Sequence, residues 1–285
     1  MNSFPYNTHQ LKDSVQELVR RAIEAIRAKR FHFEAKSKAN PRKTADLLTD
    51  ADLLAQEIVA GGLQERFPEA GIVGEENLFI PSNNGVTFTI DPLDGTKAFV
   101  RQESGNVAVM IGVLFENRVV SAFIGDVWTK EIFYFRPGSP NTHRLIDFDF
   151  PFPLVPFNPD EKHRHSAILF REDPYRIPGF DFLSIRDTFT KVFIESGSIG
   201  INFTKLFKGE THALFIHMKY YTPWDHVPVI GLARQLGYGF YRLENQMFTP
   251  FAFDLKLETY TMNALLLVCH PSLVAGLNEA SIHAK

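Results

Sequence analysis

Leu11, Val15, Leu18, Ala22 and Ile26 recur at helical spacing with Lys12, Glu17, Arg20, Arg21 and Glu24 between them, which predicts an amphipathic first helix with its apolar stripe in a core. A polar stretch with Lys36, Lys38, Arg42 and Lys43 follows. Thr49-Asp50-Ala51-Asp52 then offers a second helix start ahead of Leu54, Ile58 and Leu63, and Gly61-Gly62 is expected to fray that helix's end. Five short apolar runs come next: 71–74, 86–90, 107–113, 119–124 and 132–135. The last three are expected to form an antiparallel meander. From Pro137 to Pro159 the prolines at 151, 153, 156 and 159 exclude a central strand or a long helix, so a subdomain boundary is expected there. Beyond it, 166–170 and 213–216 are expected as strands. Ile199, Phe203, Leu206 and Phe207 mark a helix closed near Gly209. Asp225 is expected to cap a last helix with Pro228 in its first turn, Val229, Leu232, Ala233 and Leu236 on its stripe, and Gly237 at its end. Strands alternating with helices in both halves predict an α/β fold.

The 285 residues are expected to form a single catalytic unit, with subdomains of roughly 1–150 and 151–285. A formal charge of −3 argues against nucleic acid or a membrane surface as the main partner, and 37 aromatic residues can fill a substantial core. The single cysteine, Cys269, follows the apolar Leu265–Val268. It excludes an intramolecular disulfide framework and is expected to be a buried thiol. No apolar run approaches membrane-spanning length and the first residues do not resemble a signal peptide, so a cytoplasmic protein is expected.

The chemistry concentrates where apolar strands run into carboxylates, at Ile72-Val73-Gly74-Glu75-Glu76 and at Thr89-Ile90-Asp91-Pro92-Leu93-Asp94-Gly95-Thr96. In an open α/β sheet such strand ends line the ligand crevice, so Glu75, Asp91 and Asp94 are expected to converge there. Converged carboxylates repel one another unless protonated or bound to a cation, and an all-oxygen set suits Mg²⁺. Gly95 permits a sharp turn into a helix starting near Thr96, whose backbone N–H groups suit a phosphate. The reaction that follows is hydrolysis of a phosphomonoester by metal-activated water. Taken singly, the Asp-Pro-Leu-Asp-Gly turn, the Glu75-Glu76 pair and Asp225 each have an ordinary structural explanation; their combination does not.

With Asp46-Leu47-Leu48-Thr49-Asp50-Ala51-Asp52, Gly74-Glu75-Glu76, Asp91-Pro92-Leu93-Asp94-Gly95-Thr96 and Trp224-Asp225 in order, the chain resembles the inositol monophosphatase superfamily of magnesium-dependent, lithium-sensitive phosphatases. The resemblance implies a layered αβαβα sandwich and two or three Mg²⁺ ions. It implies that Glu75, Asp91 and the Leu93 carbonyl hold one ion, that Asp91, Asp94 and Asp225 hold a second, and that Glu75 lies near a weaker third. It also implies that Thr96, polarised by Asp52, orients the attacking water, that Gly95 and Thr96 hold the phosphate, and that the Gly197-Ser198-Ile199 loop contacts substrate hydroxyls. A homodimer and a small phosphorylated substrate, an inositol monophosphate or a related sugar or polyol phosphate, complete the expectation.

Two departures bear on specificity. The family's inositol-binding acid has no counterpart in His217-Met218-Lys219-Tyr220-Tyr221-Thr222-Pro223, and Ile199 is bulkier than the usual alanine. Asp94-Gly95-Thr96-Lys97-Ala98-Phe99 is similar to the block of the 3′-phosphoadenosine 5′-phosphate phosphatases, so a 3′(2′),5′-bisphosphate nucleotidase is the alternative enzyme. A non-catalytic interaction protein on the same fold is the alternative of another class. His163-Arg164-His165 is taken as a solvated loop. The segment containing Lys36, Lys38, Arg42 and Lys43 is either a solvated face or a mobile guide for an anionic substrate. The Phe-rich 148–157 stretch is expected to serve packing or dimerisation.

Overall fold

The computed structural model describes residues 3–38, 46–155, 167–177 and 180–283. Arg42, Lys43, Pro156, Phe157, Pro159, His163-Arg164-His165 and Ser166 therefore lie outside the described residues.

The predicted first stripe becomes α1 (Thr8–Ala28), which buries Leu11, Val15, Leu18, Ala22 and Ile26. The hairpin β1 (Ala35–Lys38) and β2 (Asp46–Thr49) leads into α2 (Asp50–Arg66). A capping box opens α2: the Thr49 N–H donates to Asp52 at 2.8 Å and the Thr49 hydroxyl accepts the Asp52 N–H at 3.4 Å. Contrary to expectation, α2 runs straight through Gly61-Gly62. Gly62 is a crossing point rather than an end, because a Cβ there would lie 2.2 Å from the buried Leu18 of α1.

The first sheet is built from β3 (Gly71–Gly74), β4 (Leu78–Ile80) and β5 (Val86–Asp94). After the short α3 (Thr96–Val100) it continues with β6 (Ala108–Phe115), β7 (Arg118–Asp126), β8 (Glu131–Phe135), β9 (Thr142–Ile146) and β10 (Phe150–Pro153). Its order is β10-β9-β8-β7-β6-β5-β3-β4, with β6, β7 and β8 forming the expected antiparallel meander and β3 parallel to β5. The proline-rich stretch holds more structure than expected, since β9 pairs on both sides. It contains no proline, and Pro151 and Pro153 sit on the edge strand β10, where a missing N–H is tolerated.

The second half supplies β11 (Ala167–Phe170), α4 (Phe182–Arg186), β12 (Lys191–Ile194), α5 (Ile199–Phe207), β13 (Ala213–Tyr221) and α6 (Pro223–Gln235). The chain then forms β14 (Gly239–Glu244), β15 (Met247–Pro250), β16 (Tyr260–Cys269) and α7 (Val274–His283). The second sheet has the order β12-β11-β13-β16-β14-β15. Cys269 ends β16 as a buried thiol whose pKa burial pushes up to about 12.

Three apolar clusters define the layers. One joins α1 and α2 to the first sheet, the second holds α5 and α6 between the sheets, and the third packs α4 and α7 against the outer face of the second sheet. The architecture is thus the expected αβαβα sandwich. Because β5 is covered on both faces, all nine of its positions are buried, and its apolar run carries Asp91 and Asp94 into the interior.

Two expectations about α6 are corrected. Thr222, not Asp225, is its N-cap; Asp225 lies in the first turn and accepts the Thr222 hydroxyl at 2.5 Å. Helical geometry begins at Pro223, so Pro228 sits inside the helix rather than in its first turn. Described helices span no more than 21 residues, and none is long and apolar enough to cross a membrane.

Candidate active site

The C-terminal ends of β3 and β5, the start of α3, the N-terminal turn of α5 and the first turn of α6 meet around a cleft of about 410 Å³. Asp91, Asp94 and Asp225 each present a carboxylate oxygen, and these oxygens lie within 4.8 Å of one another. Glu75, the Leu93 backbone, Gly95 and Thr96 line the same cleft.

Neighbouring groups fix each carboxylate. Asp91 accepts the Leu93 N–H at 3.0 Å, a short-range bond that closes the turn around Pro92. Asp94 accepts the Ser198 hydroxyl at 2.5 Å and the Gly200 N–H at 2.7 Å, so the beginning of α5 is tied to the end of β5. The Glu75 N–H donates to the Ile90 carbonyl at 3.0 Å, extending the β3–β5 pairing to the site. The Thr96 hydroxyl is 3.1 Å from Asp52 and 3.2 Å from the Leu93 carbonyl, both acceptors.

Gly95 makes this convergence possible. Its φ is +97°, and a Cβ there would lie 2.2 Å from the Asn106 carbonyl oxygen and 3.1 Å from the Ser198 nitrogen. Gly95→Ala is therefore expected to lower turnover at least about 100-fold and stability by about 2 kcal/mol, from left-handed strain plus a backbone clash that no side-chain rotation relieves. Steady-state phosphate release and a melting curve check this.

Burial and mutual repulsion dominate the electrostatics. Burial first, then Asp225, pushes Glu75 up to about 8. Burial and then Glu75, Asp94 and Asp225 hold Asp91 well above the ordinary carboxylate range. Asp94 is raised to about 6, again by burial and then Asp225, against the opposing pull of Ser198, Arg171 and Gly200. Asp52, buried behind Thr96, is also raised to about 6, chiefly by desolvation. Carboxylates held this close and this far from water favour protons or a cation. The donors are all oxygen, so the residues fit Mg²⁺ better than a softer metal.

Several sequence-level expectations take a particular place here. Glu75, Asp91, Leu93, Asp94, Gly95, Thr96 and Asp225 come together at the cleft, with Asp52 one hydrogen bond behind. Gly197 and Ile199 lie on its wall, whereas Ser198 is fully buried and turns its hydroxyl to Asp94. Glu76 is not a solvated surface group, being only 9 % exposed. Lys38 leaves the solvated face on which Lys36 remains: its ammonium bridges Glu75 at 2.9 Å and Glu76 at 2.7 Å. Burial opposes its charge, yet the two carboxylates outweigh that and hold its pKa above the usual lysine value. Arg171, which follows β11, was not foreseen. Its guanidinium donates to the Gly197 carbonyl and is lowered in pKa by burial, against the pull of Asp94 and Asp225. An isolated arginine after a strand carries no motif that could have singled it out.

Comparison with known proteins places this geometry. Residues 7–280 match the sequence profile of the inositol monophosphatase family. The chain is 36 % identical over 100 residues to inositol-1-monophosphatase of Bacillus subtilis, a match covering 34 % of this chain and 36 % of that protein. It is 30 % identical over 110 residues to human 3′(2′),5′-bisphosphate nucleotidase 1, covering 28 % and 35 % respectively. These matches span little more than a third of either relative's length. The crystal structure of the extragenic suppressor protein SuhB from Bartonella henselae superposes with a TM-score of 0.73 at 16 % identity, covering 95 % of this chain and 98 % of that one, which shows a shared fold. The profile match over nearly the whole chain, on a fold of the same layers, makes this protein a member of the inositol monophosphatase family, a family of phosphatase-type hydrolases.

Proposed function

We propose that this chain is a Mg²⁺-dependent phosphomonoesterase acting, as one catalytic unit, on a small sugar or polyol phosphate of the inositol monophosphate type. The convergence of Asp91, Asp94 and Asp225, with Glu75 and Thr96 lining the same cleft, carries the reading. Glu75, Asp91 and the Leu93 carbonyl would hold one ion, and Asp91, Asp94 and Asp225 a second. Bound there, Mg²⁺ supplies neutralising charge and acidifies water.

The chain's own groups do the rest. Thr96 donates its proton to Asp52 or to the Leu93 carbonyl, which leaves its oxygen lone pairs to accept from a water and aim it. With Asp52 raised only to about 6, that carboxylate is ionised at neutral pH and keeps the hydroxyl so oriented. The Gly95 and Thr96 N–H groups are the phosphate donors of this reading, at the turn into α3. We further assign a homodimer, supported by Phe150 and Phe152, which stand exposed on β10 at 61 % and 51 %.

One observation favours a nucleotide instead: Lys97 lines the cleft, within the block that resembles the bisphosphate phosphatases. Phosphate release from inositol 1-phosphate and from 3′-phosphoadenosine 5′-phosphate, each with Mg²⁺ and after chelation, tests both. Chelator-sensitive turnover of inositol 1-phosphate is the expected result. Much faster turnover of the nucleotide selects the second reading, and no chelator-sensitive release from either removes both.

A further inference from the structure

A second cleft, of about 390 Å³, opens on the far side of the wall formed by Arg171, Ile199 and Asp225, which line both spaces. Because Arg171, Ile199 and Asp225 are shared, an ester whose phosphate sits at Gly95 and Thr96 reaches the second cleft when its alcohol half is turned toward this wall. Its apolar surface comes from Ile199, Ile216 and Met218.

The polar groups of this cleft are unevenly matched to hydroxyls. Arginine and lysine only donate hydrogen bonds, and Arg171 and Lys219 are the cations here. One of the two carboxylates at its edge is engaged: Asp225 belongs to the acidic cluster and accepts from Thr222, whereas Glu172 stands 4.0 Å from His217, beyond hydrogen-bond distance, and is the one carboxylate acceptor left to the cleft. The other ring nitrogen of His217 is 3.1 Å from the Asn263 side-chain oxygen. His226 is turned to Thr222, its Nδ1 lying 2.8 Å from that residue's carbonyl oxygen and 3.1 Å from its backbone nitrogen. A neutral polyol brings hydroxyl protons for which such a wall has few acceptors, whereas an anionic oxygen brings only acceptors.

The guanidinium points the same way. Among the described residues the Arg171 side chain makes one hydrogen bond, to the Gly197 carbonyl, out of five N–H groups. Asp94 and Asp225, the first two carboxylates that offset its charge, are the ones a divalent cation would take, which leaves Glu172 alone against Arg171 and Lys219. With one carboxylate left against two cations the cleft keeps an excess of positive charge, and four N–H groups of the partly buried guanidinium, unpartnered among the described residues, face an anionic group of the ligand.

We propose that the second cleft receives an anionic group, a carboxylate or a phosphate, carried on the alcohol half of the ester and read by Arg171 and Lys219. This rests on the phosphatase reading and narrows its sugar and polyol esters to those with a second negative group, leaving inositol 1-phosphate as a basal substrate.

Two matched pairs test it in the Mg²⁺-loaded protein. Glycerol 2-phosphate and 2-phosphoglycerate differ by a carboxylate, and inositol 1-phosphate and inositol 1,4-bisphosphate differ by a phosphate, so the pairs separate the two sources of charge. In at least one pair the anionic member is expected to have a kcat/KM about tenfold higher or more, mainly through KM, the size expected of a charge-assisted hydrogen bond. Arg171→Gln should bring that ratio to within about twofold, and Lys219→Gln, an exposed side chain whose loss leaves folding intact, should lower it part of the way. Ligand-observed NMR gives a readout independent of turnover, with glycerate binding where glycerol does not. Equal kcat/KM within both pairs, with chelator-sensitive hydrolysis intact, overturns the anion site and leaves the phosphatase. Absence of hydrolysis from all four esters overturns the phosphatase reading, and glycerate binding no better than glycerol, together with no preference for inositol 1,4-bisphosphate, overturns the anion site.

Discussion

Asp91→Asn is expected to lower phosphate release on the order of 10³-fold, corresponding to about 4 kcal/mol of lost transition-state stabilisation. Asp91 sits at the centre of the acidic group, 2 % exposed and repelled by Glu75, Asp94 and Asp225 together. In the proposed arrangement it is the carboxylate shared by both ions. Asparagine keeps the shape and can still accept the Leu93 N–H, so the turn around Pro92 persists. It loses the charge, and its amide presents N–H donors where a cation needs oxygen. The same change removes a buried charge from a repelling set, so the chelated variant should melt higher than the chelated parent while Mg²⁺ no longer raises its melting temperature. Kinetics, scanning calorimetry and a Mg²⁺ titration read these effects. Turnover within tenfold of the parent would remove Asp91 from the machinery, whatever happened to its stability.

Local signals explain which parts of this molecule were readable. The α1 stripe, the helix start at Thr49 and the apolar run 86–90 of β5 each depend on neighbours within a few residues, and each appeared where expected. Gly61-Gly62 misled because the reason for a small residue there is Leu18, 44 positions earlier and on another helix. Asp225 was read as a cap because the residue that performs that role, Thr222, was hidden by Pro223, which sets the helix start. The site shows the same division. The carboxylates of β3 and β5 announced themselves by interrupting apolar strands, which ordinary packing does not do. Lys38 and Arg171 gave no such sign, because one is brought to Glu75 by the β1–β2 hairpin and the other to Gly197 by the second sheet. Long-range placement of single cations leaves no periodicity to detect.

The second large effect is a pH dependence of stability that Mg²⁺ reverses. In the folded protein Asp52 and Asp94 titrate near 6 and Glu75 near 8, against ordinary values of 3.8 and 4.5. Between the unfolded and folded values the native state holds more protons than the unfolded chain, so stability falls as pH rises through that window. Below about pH 4 both states are protonated and the effect is absent; above about pH 8 the share of Asp52, Asp94 and Glu75 is spent. Glu75 alone, carrying one excess proton from pH 6 to pH 8, corresponds to a loss on the order of 3 kcal/mol, or roughly 5–10 °C in melting temperature. Mg²⁺ binds the ionised carboxylates, so its stabilisation grows over the same interval and should flatten or invert the slope. Scanning calorimetry from pH 5 to pH 8.5, with chelator and with saturating Mg²⁺, separates the two curves. A chelated melting temperature that stays level or climbs between pH 6 and pH 8 would mean that these carboxylates do not repel one another as their burial and spacing require, and that the cluster is not the cation trap on which the phosphatase chemistry depends.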